Sequence, residues 1–280
     1  MLLLALLSLS ASAGGHARRD LPVVAEYSAH TLRFGEIQVG SAGLYAGVAP
    51  RVQLGTRLLI DTVGLPNVSL RVHAYDGDAL DVTLHGTALS SALEGLDALA
   101  VSAGATVSAS RGRFSGHLGS RLHRIDLQGI PSGAPDWVRA VVGSDPVASA
   151  ATELNELGVS PVFDATAATV RGAAEVRLIP RGGLLFQGAT TMWARSAAQL
   201  SAPNDDVRFD ATTQIADMLD NYASPGGAWV ATVSWQQSLG PMTVRAGAGG
   251  SGVPLAWIGQ AMAASLRFGG FKKTPDASGD

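Results

Sequence analysis

The sequence predicts an all-β protein, a closed antiparallel transmembrane β-barrel of about twelve strands with one helical insertion. Three observations predict it. Apolar and polar residues alternate with period 2 in segment after segment, each with the reach of a membrane-crossing strand. The segments are joined by short turns of Gly, Pro and Asp chemistry. The composition is apolar without offering a continuous apolar helix, at 46% hydrophobic, 15% charged and 34 Gly in 280 residues.

That composition excludes other classes. Soluble domains average about 25% charged residues and about 7% Gly. A disordered chain needs low hydrophobicity and high net charge, whereas 20 basic against 23 acidic residues leave a formal charge of only −3. The glycines have no G-X-Y period, which excludes collagen, and the charge balance gives no basic footprint for nucleic acid. With no Cys there is no disulfide framework, thiolate nucleophile or Cys-ligated zinc or iron–sulfur site.

Residues 2–7 are apolar and Ala11-Ser12-Ala13 has the A-x-A form of a signal-peptidase site. Residues 1–13 therefore read as a signal peptide, although no Lys or Arg precedes the apolar run, and residues 14–29 as an N-terminal periplasmic segment. The two long uncharged stretches, 222–244 and 246–266, are broken by Pro225, Gly226, Gly227, Gly240, Pro241, Gly249, Gly250, Gly252 and Pro254. Punctuation at that density marks turns rather than spanning helices.

The first strands are read at 31–41 and 51–62, the second with Val52, Leu54, Leu58 and Ile60 opposite Arg51, Gln53 and Arg57. The clearest hairpin follows. Leu70 and Val72 oppose Arg71 and His73, Asp76-Gly77-Asp78 turns, and Leu80, Val82 and Leu84 oppose Asp81, Thr83 and His85. Leu99, Val101 and Val107 then alternate with Ser102, Thr106 and Ser108, and Arg111-Gly112-Arg113 turns into Phe114, Leu118 and Leu122 opposite Ser115, His117, Arg121 and His123. Val170, Val176 and Leu178 oppose Arg171, Glu175 and Arg177, and Leu184, Phe186 and Met192 oppose Gln187, Thr191 and Arg195. The last four segments are Val207, Phe209 and Ile215 against Arg208, Asp210 and Gln214; Trp229, Val233 and Trp235 against Thr232, Ser234 and Gln236; Met242 and Val244 against Thr243 and Arg245; and Ile258, Met262, Leu266 and Phe268 against Ser265 and Arg267. Alternation is weak over 42–50 and 212–220, so ten to about fourteen strands are compatible with the pattern.

Period 2 alone fits a soluble sandwich as well as a membrane barrel, because the two differ only in which face meets water. The export leader favours the envelope. The chain also closes on Leu266-Arg267-Phe268, which resembles the aromatic-ended closing strand of Gram-negative outer-membrane β-barrel proteins, here followed by a tail at 269–280. The resemblance implies a barrel over 30–268, residence in the bacterial outer membrane after export through the periplasm, contact with outer-membrane lipid, and recognition by the barrel assembly machinery through the strand ending at Phe268.

Residues 128–166 break the rhythm. Ser144 or Asp145 as cap, Pro146 in the first turn and Gly158 as stop predict a helix over 147–157. Six strands precede this insertion, which places it on the periplasmic side. The outer turns then come out mostly short, which argues against an adhesin.

Chemistry is sparse. The six His include no H-x-H or H-x-x-x-H pair, and no G-x-S-x-G elbow, P-loop or dinucleotide motif occurs. No cofactor, metal or catalytic set is expected, and the chain is not read as an enzyme. Basic residues are the distinctive feature: 18 of 20 are Arg, and Lys272 and Lys273 lie in the tail. Lumen-lining candidates are Arg33, Arg51, Arg57, Arg71, His73, Asp81, His85, Arg121, Arg171, Glu175, Arg177 and Arg245. An arginine surplus in a lumen favours anions. The functional expectation is a small passive pore or transporter-like channel with a mild preference for small anionic solutes. The alternatives are a non-conducting structural or envelope-interaction barrel and a membrane lipid hydrolase.

Overall fold

The computed structural model describes residues 28–41, 43–58, 61, 64–77, 80–133, 135–136, 140, 152, 160–201, 228–252 and 261–269. Its elements are strands: β1 (Glu36–Gly40), β2 (Gly43–Ala49), β3 (Val52–Thr56), β4 (Asn67–Asp76), β5 (Leu80–Ser90), β6 (Leu96–Arg111), β7 (Phe114–Gly129), β8 (Ser160–Ile179), β9 (Gly182–Ser201), β10 (Trp229–Leu239), β11 (Met242–Ser251) and β12 (Ala263–Gly269). Each pairs antiparallel with its sequence neighbours, and β1 closes on β12 with Ile37 opposite Phe268 and Val39 opposite Leu266. Closure leaves no unpaired sheet edge, the condition for a sheet to stand in lipid.

Twelve strands were expected, but they are composed differently. The weakly alternating stretch after Gly40 is a strand of its own, β2. Its inward positions are Gly43, Tyr45 and Gly47, so it shows no polar partner to its apolar outward row of Leu44, Ala46 and Val48. The expected strand over 207–215 lies outside the described residues, and the ring closes without it because β9 pairs directly with β10. The signal peptide, the expected helix over 147–157 apart from Thr152, and the tail beyond Gly269 also lie outside the described residues.

The extra strand changes the sidedness. Seven strands, not six, precede the connection between Gly129 and Ser160, so it leaves the barrel at the edge opposite the termini. Strand also occupies 128–129 and 160–166, which narrows the interruption read from the sequence. On the terminal edge the turns hold two or three residues, such as Gly112-Arg113 and Pro180-Arg181, whereas the opposite edge carries the connections over 57–66, 130–159, 202–228 and 252–262. With the termini on the periplasmic side, as the sequence reading has them, the outer connections are the long ones, and the argument from short outer turns falls.

The two faces settle the membrane question. Phe114, Leu118 and Leu122 are 64%, 63% and 60% exposed, while Thr83, Thr106 and Ser108 are 0% exposed. A soluble protein buries the first kind and wets the second; this barrel does the reverse around its whole circumference. On β6 the outward row from Ala109 to Leu99 is entirely apolar and is bounded by Arg111 and Asp97. Ten residues rise about 33 Å along a strand, or about 25 Å along the axis at the usual tilt, the height of the apolar band of a membrane barrel. The outward row of β7 likewise passes from Leu122 to Arg124 and Asp126, and that of β9 from Trp193 to Arg195, marking the same upper boundary. The chain is a membrane-spanning β-barrel with a polar lumen.

Candidate functional site

The lumen holds a guest from its own chain. Ser28 to Leu32, just before β1, crosses the interior on the terminal side. The Ala29 N–H donates to Ser108 Oγ (2.6 Å) and the Leu32 N–H to Gln53 Oε1 (3.0 Å). The Thr83 hydroxyl donates to the Ala29 carbonyl, and an Arg71 Nη2–H to the Ser28 carbonyl. Ser28 and Ala29 are buried at 1% and 0% exposure, inside the barrel rather than in a free periplasmic segment. Gly47 makes this passage possible, since a Cβ there would collide with the Arg33 carbonyl.

Above this strap the lumen holds a narrow pocket, partly open to solvent, lined by Arg57, Arg71, Arg121, Arg171, His85 and Tyr45, with Ser69 and Thr87. His85 sits between two guanidinium groups, Arg121 Nη2 at 3.1 Å from Nδ1 and Arg171 Nη2 at 2.7 Å from Nε2, and Arg171 also donates to Thr106 Oγ1 (3.0 Å). Gly104 lies directly across from His85 on β6; a Cβ there would stand 2.7 Å from the ring. Among the described residues that line this cavity none is acidic. Four guanidinium groups thus share one wall of the lumen.

A second, smaller pocket towards the terminal edge is lined by Arg113, Ser115, Glu175, Arg177 and Gln236 among others. Here carboxylate and guanidinium share the wall. Farther round, an Arg245 Nη1–H donates to Gln187 Oε1 at 3.2 Å.

At the terminal end a third group meets the strap. His73 Nε2 lies 3.4 Å from Asp81 Oδ1, and His30 Nδ1 lies 3.8 Å from Asp81 Oδ2. A bulge in β4 between His73 and Tyr75 breaks the alternation there. Tyr75 consequently faces out, at 56% exposure, and Asp76 turns into the lumen directly opposite Asp81, where Arg51 Nη2 reaches Asp76 Oδ2 at 3.6 Å.

Of the residues anticipated from sequence, Arg57, Arg71, His85, Arg121 and Arg171 meet around one cavity, Glu175 and Arg177 around another, and His73 and Asp81 in the group at the strap. Arg33 does not lie on a barrel strand; it precedes β1 with an exposed side chain, its N–H held by Glu36 Oε2. Arg51 stands in the β2–β3 turn at a left-handed φ of 67°, at the rim rather than in the wall. Sequence reasoning missed His30, Gln53, Thr83 and Ser108. The last three alternate with apolar residues and were legible as inward, but uncharged side chains were passed over. Nothing in the periodicity marks His30, because the strap is no strand.

No family model and no curated protein matches the chain. Solved structures with which it aligns include the translocator domain of the autotransporter NalP from Neisseria meningitidis, at 10% identity and a TM-score of 0.28 over 83% of this chain and 84% of that one. Another is CarO from Acinetobacter baumannii, at 9% identity and a TM-score of 0.15 over 85% of this chain and 97% of that one. Overlaps this loose add nothing to the geometry above.

Proposed function

We propose that the chain is a bacterial outer-membrane pore that passes small anionic solutes. One observation carries this reading: the central cavity is walled by Arg57, Arg71, Arg121 and Arg171 with no acidic residue among its described lining. Charged rings of one sign select the opposite ion, and Arg binds carboxylate or phosphate without losing its charge at any physiological pH. The short turns on the terminal edge and long connections on the other are the arrangement of outer-membrane barrels, with the termini on the periplasmic side. In this reading lipid covers the outward face, and the assembly machinery engages β12 where it ends at Phe268 and Gly269.

A second reading, a packed barrel without conductance, is favoured by the strap itself, since Ser28 to Leu32 spends its hydrogen-bonding groups on the lumen wall. A hydrolase is not proposed. Ser108 is hydrogen-bonded to His117 Nδ1 at 2.7 Å, but its Oγ also accepts from Ala29 and is fully buried, out of reach of a lipid ester. The test is single-channel recording in planar bilayers under a salt gradient. Folded protein, verified by heat-modifiable gel migration, is expected to conduct with a reversal potential on the anion side; no current from folded protein would replace the pore with the packed barrel.

A further inference from the structure

The geometry points to a divalent transition-metal site of the zinc class at the terminal end of the lumen, formed by His30, His73, Asp76 and Asp81 and fastening the strap to the β4–β5 hairpin. The donor atoms of His73, Asp76 and Asp81 all lie within 4.8 Å of one another, and His30 Nδ1 comes within 3.8 Å of Asp81. Tetrahedral zinc with bonds of about 2.0–2.2 Å to nitrogen and oxygen sets its ligands about 3.4 Å apart. His73 Nε2 and Asp81 Oδ1 are 3.4 Å apart.

Three further features make this more than proximity. Asp76 and Asp81 are directly opposite one another on paired strands, a like-charge placement that destabilises a sheet unless a cation sits between the carboxylates. Among the described carboxylates Arg51 approaches Asp76, while Asp81 is the more deeply buried, at 4% exposure. His73 Nε2 is buried without a hydrogen bond among the described residues, although a buried imidazole nitrogen normally has a partner; His30 turns its other ring nitrogen, Nδ1, towards Asp81. His73 Nε2 faces the Asp81 carboxylate at 3.4 Å, the spacing of two ligands of one ion. Finally, the arrangement depends on the bulge, the device by which barrels re-aim a rim side chain. Without it Asp76 would point into lipid and Tyr75 into the lumen. A mixed imidazole–carboxylate set suits zinc and its neighbours rather than calcium or magnesium.

This inference stands whether or not the lumen conducts. It is tested by titrating chelator-stripped, folded full-length protein in detergent with Zn²⁺ against a chromophoric competitor. The expected result is one tight equivalent, weakened by more than the about 10- to 100-fold typical of losing an outer-shell partner in His73→Gln and in Asp81→Asn, and unchanged in His123→Gln, whose ring lies elsewhere in the lumen against Thr169. Absence of stoichiometric binding, or equal binding by His73→Gln and Asp81→Asn, overturns the site and leaves these residues as an ion-pair group. Should either variant fail to fold, Co²⁺ loaded into the unaltered protein decides. The intense visible bands of a four-coordinate nitrogen–oxygen site support the assignment, and the pale spectrum of the hydrated ion refutes it.

Discussion

Two levels of the same lumen are built from the same inward positions and come out with opposite characters. At the terminal end, His73, Asp81 and His117 pack around Ser28 to Leu32 and meet its His30, and Arg51 meets Asp76 at close range. One level up, Arg57, Arg71, Arg121 and Arg171 face one pocket with no carboxylate on its described wall. Arg71 belongs to both levels, lining the cavity while donating to the Ser28 carbonyl. The difference teaches that period-2 alternation assigns a residue to the lumen but says nothing about its height. Height decides which side chains share a wall, and so which charges a solute would meet together.

The comparison can be broken at its cationic level first, where the largest effect is expected. Replacing Arg121 and Arg171 together by Glu should move the reversal potential from the anion side to the cation side. An unchanged reversal potential would show that solute does not pass that wall. Next in size is the contrast between lumen and lipid on a single strand. Leu84, outward on β5 between inward Thr83 and His85, should cost about 2–4 kcal/mol of barrel stability as Leu84→Arg near the bilayer midplane. Urea titration in lipid vesicles measures this, and a cost near zero would turn β5 inside out. The smallest effect belongs to the filled level. Thr83→Val preserves shape but removes the hydroxyl that holds the Ala29 carbonyl, a loss of about 1 kcal/mol. Recordings of that variant should show more frequent or larger openings as the strap loosens, and an identical trace would mean that the strap does not limit the current.

Much of this was legible before the structure. The hairpin of β4 and β5 and the central parts of the long strands β6 to β9 declare themselves because inward polar and outward apolar residues alternate along them, with register shifts near His73, Ala168 and Arg177. Strand β2 escaped because glycine fills two of its inward positions and leaves nothing polar to count. That one omission displaced the parity of β3 to β9, and with it the side on which the insertion over 130–159 emerges; the segment expected over 207–215 restores the count for the last three strands. The cationic wall was readable as a surplus of arginine, but its grouping was not. Arg71, His85, Arg121 and Arg171 come from four strands, and their meeting depends on how far each strand is sheared past the next.

By itself, the sequence determines which residues can face lipid and which cannot, because side chains on a strand alternate by covalent geometry and the solvent on each side selects the chemistry. It also determines that the sheet must close, since no polar strand edge can stand in hydrocarbon. Only the tertiary structure decides the rest. Closure sets the register, register sets the height of each inward charge, and a single extra residue in β4 turns Asp76 towards Asp81 instead of towards the membrane. The strap is likewise a tertiary fact: Ser28 to Leu32 carries no period, and its place inside the barrel exists only because Gly47, Gln53, Thr83 and Ser108, distant in sequence, leave it room and give it hydrogen bonds.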